Sequence, residues 1–528
     1  MDTPALSKAA VSNQATTPPM ASERYSWFVL ITLMIVYVLN FVDRQILSIL
    51  AEDVKRDLGL TDADLGFLYG TAFGVFYALF GIPLGRLADS WNRVRLITIG
   101  LSLWSTMTAL SGFSRTGGEL AAARVGVGIG EATASPCAYS LISDYFPKEK
   151  RATALAVYSS GLFVGGGLSL FIGGAIVQNW NHAFPGGGPM GLVGWQAAFL
   201  AVGIPGLLVA LLVSTIKEPV RGQADGLITP VDPHPFKGFA QELMTVIPPF
   251  TLIGASKRGA SALAINLAVA LIIAGAAWQL IRLTGDLPQW TAMGIGIYAV
   301  FSWTTALSVR DKPAYALIWG TPCFIAIVIG YSLISFVSYA SNFWAAPYAI
   351  RELGATTAQA GLILGSMGAL GGFLGVILGG RLADKLRQTN KAGRILVIMF
   401  GLIAPIPFIA IAFTTDSLTL FYIMQFPANV FAASALGASA ASTQDLVLPR
   451  MRGAATATFF LGTTLIGLAL GPYLAGKIST VTGSLATGNL ALLATAPISI
   501  ICLLYAYRAL PKMEETLVER AQAAGEAI

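Results

Sequence analysis

The sequence predicts an all-α polytopic membrane protein: two six-helix bundles joined by a connection that carries an inserted two-helix hairpin, fourteen spans in all. Three observations carry that expectation. The 528 residues are 55% hydrophobic and only 11% charged, against about 25% charged in soluble domains, and the mean hydropathy is +0.69. Apolar stretches of about 20 residues, the length that crosses a bilayer, follow one another along the chain. Loop cations alternate between abundance and scarcity from one connection to the next.

This composition excludes a secreted scaffold, a disordered hub and a cytosolic enzyme. Cys137, Cys323 and Cys502 sit in apolar runs without metal-ligand spacing and read as packing residues. His182 and His234 are far apart, so no metal site is expected. The net charge of +6 reads as cationic loops on the inner side of a membrane rather than as a nucleic-acid surface.

The elements follow in order. Residues 1–24 are polar and rich in Ala, Ser, Thr and Pro; they lack the layout of a cleavable signal and are expected to be a disordered cytoplasmic tail. An N-terminal bundle over 25–216 should span near 27–50, 65–87, 94–113, 119–142, 152–177 and 194–216. A cytoplasmic linker over 217–312 holds two further spans, about 261–281 and 289–309, expected as a lipid-facing accessory hairpin. Before it, Phe236 to Ile253 is expected at the membrane surface. A C-terminal bundle over 313–510 should span near 317–346, 357–383, 394–414, 417–447, 453–476 and 486–508, leaving 511–528 as a second cytoplasmic tail.

Loop charge sets the orientation. With both termini in the cytoplasm, 25 of the 33 cations fall inside and six outside: Lys55, Arg56, Arg115, Arg282, Arg351 and Lys477. Removing one span of the inserted pair would invert the second half and spoil this bias. The expected location is the bacterial inner membrane.

The two remaining cations, Arg44 and Arg124, lie within spans with Asp43 and Glu131. A charge in hydrocarbon costs at least about 2.5 kcal/mol, faces a cavity and finds a partner. Arg124 and Glu131 are two helical turns apart on one face. The four read as a proton-coupling and substrate-contact group, with a buried cluster that only pins two helices as the plainer alternative. Arg44 needs a carboxylate, which Glu131 or Asp43 must supply, and Asp43 beside it is a candidate partner of Arg124.

The chain repeats itself. Gly85-Arg86-Leu87-Ala88-Asp89 recurs as Gly380-Arg381-Leu382-Ala383-Asp384, and Asp144 with Arg151 recurs as Asp445 with Arg452. Ser169-Leu170-Phe171-Ile172-Gly173-Gly174 stands where Gly471-Pro472-Tyr473-Leu474-Ala475-Gly476 stands in the second half. Repeated halves around a central site are a transporter architecture. An intramembrane enzyme would need a nucleophile and base that the spans lack. A channel would not explain the repeated loops, and Gly126-x-Gly128-x-Gly130 lies in mid-span without the strand a phosphate loop requires.

These residues carry a family resemblance. Gly85-x3-Asp89-x3-Arg93, Arg124-x3-Gly128-x-Gly130-Glu131 and the Gly-Pro-x2-Ala-Gly run resemble signatures of the major facilitator superfamily. The first-half counterpart of that run lacks the proline. Asn40-Phe-Val-Asp-Arg-Gln-Ile-Leu, Gly130-Glu-Ala-Thr-Ala-Ser-Pro136, Asp144-Tyr-Phe-Pro147 and Glu218-Pro-Val-Arg-Gly222 are similar to the Spinster branch. The resemblance covers both bundles but not the inserted pair. It implies a proton-coupled carrier of lysophospholipid- or sphingolipid-like amphiphiles; a proton-coupled carrier of small organic anions, such as sugar or aromatic acids, is the alternative. No cofactor, metal or nucleic acid is expected, and the protein is expected to be monomeric among membrane lipids.

The cavity is sketched from polar and aromatic span residues: Asn40, Arg44, Tyr69, Phe73, Tyr77 and Glu131 from the first half, Ser332, Ser335, Ser338, Tyr339, Asn342, Gln425 and Asn429 from the second. A cytoplasmic gate is expected from Gly85, Asp89, Arg93, Asp144 and Arg151 and their counterparts Gly380, Asp384, Asp445 and Arg452. There glycine would permit close helix approach and Asp89 would cap or pair with the neighbouring span. Arg44 is permanently charged. When Glu131 takes a proton its hold on Arg44 weakens, freeing the arginine for an anionic headgroup.

Overall fold

The computed structural model describes residues 21–225 and 232–527, apart from the Ala152 side chain; most of the tail expected over 1–24 falls outside them. Among the described residues every regular element is helical. The N-terminal half holds α1 (Glu23–Leu58), α2 (Asp62–Ser90), α3 (Arg93–Ser111), α4 (Gly117–Glu131), α5 (Ala134–Tyr145), α6 (Lys148–Ala183) and α7 (Gly194–Ser214). The connection holds α8 (Pro235–Val246), α9 (Phe250–Lys257), α10 (Ala260–Thr284), α11 (Leu287–Arg310) and α12 (Lys312–Ile318). The C-terminal half holds α13 (Pro322–Arg351), α14 (Thr357–Thr389), α15 (Gly393–Ala412), α16 (Leu418–Gln444), α17 (Pro449–Thr482) and α18 (Leu485–Glu515), followed by the short α19 (Leu517–Ala523).

Thirteen of these helices are long and apolar enough to cross a membrane. The fourteenth expected span, near 119–142, is two shorter helices, α4 and α5, which part at Ala132 and Thr133. The span expected near 317–346 starts later than its apolar run suggests. Thr321 and Pro322 begin a new helix, because proline suits a first turn and breaks a continuing one, and the preceding apolar residues form α12.

The face where α1 begins and α18 ends is the terminal face; the opposite one is the far face. Toward the far face the halves touch backbone to backbone along two seams. Between α2 and α17, a Cβ on Gly66 would lie 2.4 Å from the Pro472 carbonyl oxygen and one on Gly70 2.3 Å from that of Leu468. Both helices take π-helical turns there, over Phe67–Thr71 and Thr463–Leu470. Between α6 and α14, Gly167 and Gly365 meet as closely. Small residues thus do in these seams what side-chain interdigitation does in a soluble core. On the terminal face no hydrogen bond or ion pair joins the halves among the described residues, whereas Ser48–Phe343, Ala63–Thr480, Thr71–Ala469, Arg351–Asp62 and Ala358–Gln178 join them nearer the far face. Direct bonds between the halves thus close the far face, and none among the described residues closes the terminal one.

The inserted pair differs from the expected lipid-facing hairpin. Helix α10 fits it, with 6% of its apolar stretch buried. Helix α11 instead lies along the α2–α17 seam: a Cβ on Gly296 would touch both Val75 and Leu465, and Met293, Ala299, Trp303 and Leu307 are buried. Small residues and a polar stripe on α11 allow that fit. Helix α8 lies against the terminal end of α2, with Phe236 on Trp91. The C-terminal segment is helical through Ala523 and folds back on its own half, where Arg520 bonds Thr321 at 2.7 Å and Ala521 is fully buried.

Candidate functional site

The site is built where three helices cross. Arg44 of α1 donates from Nη2 to Glu131 Oε2 at 3.0 Å, with side chains 8% and 0% exposed. Its guanidinium sits 4.8, 4.6 and 4.9 Å from the ring centroids of Phe41, Phe73 and Tyr77, where ring quadrupoles attract a cation. Among the described residues Glu131 Oε1 and Arg44 Nε make no hydrogen bond within ordinary geometry. A buried pair with unmet bonding capacity is held less firmly than a saturated one.

Glycine places the carboxylate. Glu131 ends α4, and just beyond it the Thr133 hydroxyl donates to the Gly130 carbonyl at 2.8 Å. Side chains at Gly128 or Gly130 would collide with the backbone of Phe73 in α2 or of Gly100 in α3. Only a bare helix can bring Glu131 this far in.

Arg124 and Asp43 are both buried, but they do not form the candidate ion pair. Arg124 Nη1 donates to the main-chain carbonyl of Asp43 at 3.0 Å, no carboxylate lies within 4 Å of it among the described residues, and Asp43 Oδ1 is unpartnered. Neighbours on a helix point about 100° apart. With Arg44 turned to Glu131, Asp43 turns toward Trp104 and Thr108 of α3.

The sketched cavity is partly gathered. Asn40 lies beside Glu131, Tyr77 beside Arg44, and half-buried Tyr339 near it. Tyr69 donates to Gln45 at 2.5 Å and stacks across the seam on Phe343 at 4.3 Å. Asn342 is exposed and Gln425 is buried. Other positions face elsewhere. Ser332 and Ser335 pack against Gly462 and Gly467 of α17, within their own half. Ser338 lines a small apolar hollow with Ile334, Pro405 and Leu493, and Asn429 bonds back to the Gln425 carbonyl.

The sequence profile of the major facilitator superfamily matches residues 33–350 and 327–526. The chain belongs to that superfamily. It is 26% identical over 503 residues to an MFS-type efflux pump of Mycolicibacterium smegmatis, covering 94% of this chain and 96% of that one. A crystal structure of a bacterial homolog to the human lysosomal transporter Spinster, inward-facing and unoccupied, is 26% identical at a TM-score of 0.67, covering 95% and 99%. A shorter stretch of 214 residues, 39% of this chain and 44% of the relative, is 29% identical to a probable galactarate/D-glucarate transporter of Bacillus subtilis. The protein is a membrane transporter of that superfamily, similar to Spinster proteins.

In this transporter the terminal-face motifs pair within each half. Arg93, fully buried, holds Asp144 and Ser140 and also Glu218 at 2.7 Å. In the second half Arg394 holds Asp445 and Asp384, the counterpart of the first pair. Arg151 bonds Asp225 at 3.0 Å, and Arg452 is exposed. Asp89 departs from expectation: it is exposed and joins no ion pair, while nearby Arg221 bonds the Ala88 and Trp91 carbonyls. Gly85 and Gly380 have nothing within 4 Å of where a Cβ would stand. No neighbour among the described residues uses the space they leave.

The far-face clamp escaped the sequence reading. Arg351 ends α13 and reaches Glu52 of α1 and Asp62 of α2. Asp62, 4% exposed, also accepts from Lys55 at 2.6 Å and Ser479 at 2.7 Å. Charges at span edges read as loop charges. The available signal was that Lys55 and Arg351 defy the loop-charge bias.

Proposed function

We propose that this transporter moves lysophospholipid- or sphingolipid-like amphiphiles by proton-coupled alternating access, with both termini in the cytoplasm of a bacterial cell and the clamped far face toward the periplasm. The observation that carries the reading is the Arg44–Glu131 pair enclosed by Phe41, Phe73 and Tyr77. One cation ringed by aromatic surface suits a substrate with one anionic group and an apolar body. A saturated polar pocket would suit a sugar.

The chemistry follows from the pair. While Glu131 is ionised it occupies Arg44. A proton on Glu131 removes the charge that holds the guanidinium and leaves a neutral acid that bonds it weakly. Arg44 then takes the substrate's phosphate or carboxylate, so proton and anion enter together. Asp43, one position away and turned toward Trp104 and Thr108, tunes the same site. Outward opening requires the Arg351 clamp to part while the terminal face closes over Gly85 and Gly380.

The likeness to the sugar-acid transporter favours a second reading, in which the anion is small and polar. Uptake into proteoliposomes with an imposed pH gradient separates the two. A labelled lysophospholipid should accumulate and a labelled glucarate should not; the reverse result would replace the first reading with the second.

A further inference from the structure

We propose that α11 is a working part of the periplasmic gate, carried by α2 and releasably strapped to α17, and that Asp286 and Gln289 are its positioning residues. The inference rests on the alternating-access reading above.

At the far-face end of α11, two residues three positions apart bind opposite halves. Asp286, which starts the helix, accepts from Tyr473 of α17 at 2.6 Å and pairs with Lys477 of α17 at 2.8 Å. Gln289, 1% exposed, faces Thr71 of α2 at 2.7 Å. At the other end, adjacent residues divide in the same way. Arg310 pairs with Glu242 of α8, which packs against α2, and Asp311 pairs with Arg450 of α17 at 2.7 Å. The strap therefore has a joint between residues 310 and 311 and a latch at Asp286.

Thr71 shows which bond must break. Its hydroxyl lies 2.7 Å from Gln289 Oε1 and 2.7 Å from the Ala469 carbonyl of α17. A hydroxyl has one proton to give, so only one acceptor is served at a time. While the far face is closed, Ala469 can take it. When α17 moves away, Gln289 remains on the α2 side and takes it instead, sparing a buried hydroxyl the cost of losing its partner. Gln289 therefore supports the open gate, and Asp286 supports the closed one.

The opposite signs make the test. Spin labels at the exposed positions Arg56 and Val481 would report the far-face distance in the full-length protein in nanodiscs. Asp286→Ala should raise the open-to-closed ratio about threefold to tenfold, as expected for losing one or two such bonds, and Asp286→Asn should shift it less in the same direction. Gln289→Leu should lower the ratio by a few fold, and in a Thr71→Val background it should have no effect. Shifts of the same sign, or none, in variants that melt like the wild type would overturn the strap. A wild type that never opens at this face would defeat the alternating-access reading itself; one that opens while every variant matches it would defeat only the strap.

Discussion

Arg351 grips Asp62 with both terminal nitrogens, Nη1 to Oδ2 and Nη2 to Oδ1, each at 2.8 Å, across the seam between the halves. Forked pairing of this kind is directional as well as strong. Two parallel bonds also require the guanidinium and carboxylate planes to stay aligned, which a single ammonium contact does not. The contact therefore distinguishes a closed far face from an opening one.

Arg351→Gln should raise the population open at the far face by about tenfold, since bonds to charged groups contribute about 1.5–3 kcal/mol each. Arg351→Lys should fall between it and the wild type. Distances between labels on the two halves report the ratio, and unchanged populations would reduce the clamp to a surface contact.

The repeated terminal-face pairs should differ in strength although their sequences match. Arg93 is fully buried, whereas Arg394 faces an Asp384 side chain that is 72% exposed. Arg93→Gln strands Asp144 and Glu218 and should cost about 2–3 kcal/mol. Arg394→Gln should cost about 1 kcal/mol or less. Denaturation of the purified variants compares them directly.

Acid should release the C-terminal helix. Bonds from Arg450 hold the carboxyl groups of Asp311 and Glu526 below their usual pKa values. Carboxylates lowered in this way stabilise the fold above their unfolded pKa values, and that support is lost as pH falls through the lowered ones, here below about 4. Hydrogen exchange over Leu517–Ala523 should stay slow at neutral pH and quicken in that acid window. Arg450→Gln should make it fast at neutral pH.

Span count, repeats and the Arg44–Glu131 pair were legible because each is written locally. Apolar length marks a span, and a lone charge within one must find its opposite. Partner choice was not legible. Asp43 and Arg44 adjoin in sequence, and which one faces α4 depends on the rotation of α1, which packing sets. The rotation of α13 likewise puts Ser338 in a hollow of its own half while Tyr339, one residue on, approaches Arg44. Of the six cations that oppose the loop-charge bias, Lys55, Arg351 and Lys477 pair with Asp62 or Asp286 near the far face. An exception to a topological rule was thus a pointer to a contact. The seat of α11 on the seam was less legible, because its apolar length is the same whether lipid or protein covers it; only Lys477 and buried polar residues such as Gln289 mark the covered face.

The account turns on Glu131 releasing Arg44 when it takes a proton. The measurement that tests this most directly is the far-face distance distribution of wild type and Glu131→Gln, followed from pH 5 to pH 8 with and without a lysophospholipid. The wild type should change its open-to-closed ratio with pH. Glu131→Gln should bind the lipid, hold a single ratio throughout and match the wild type at the acidic end. A Glu131→Gln protein whose ratio still follows pH as the wild type does would contradict the switch and leave Asp43 as the group to test.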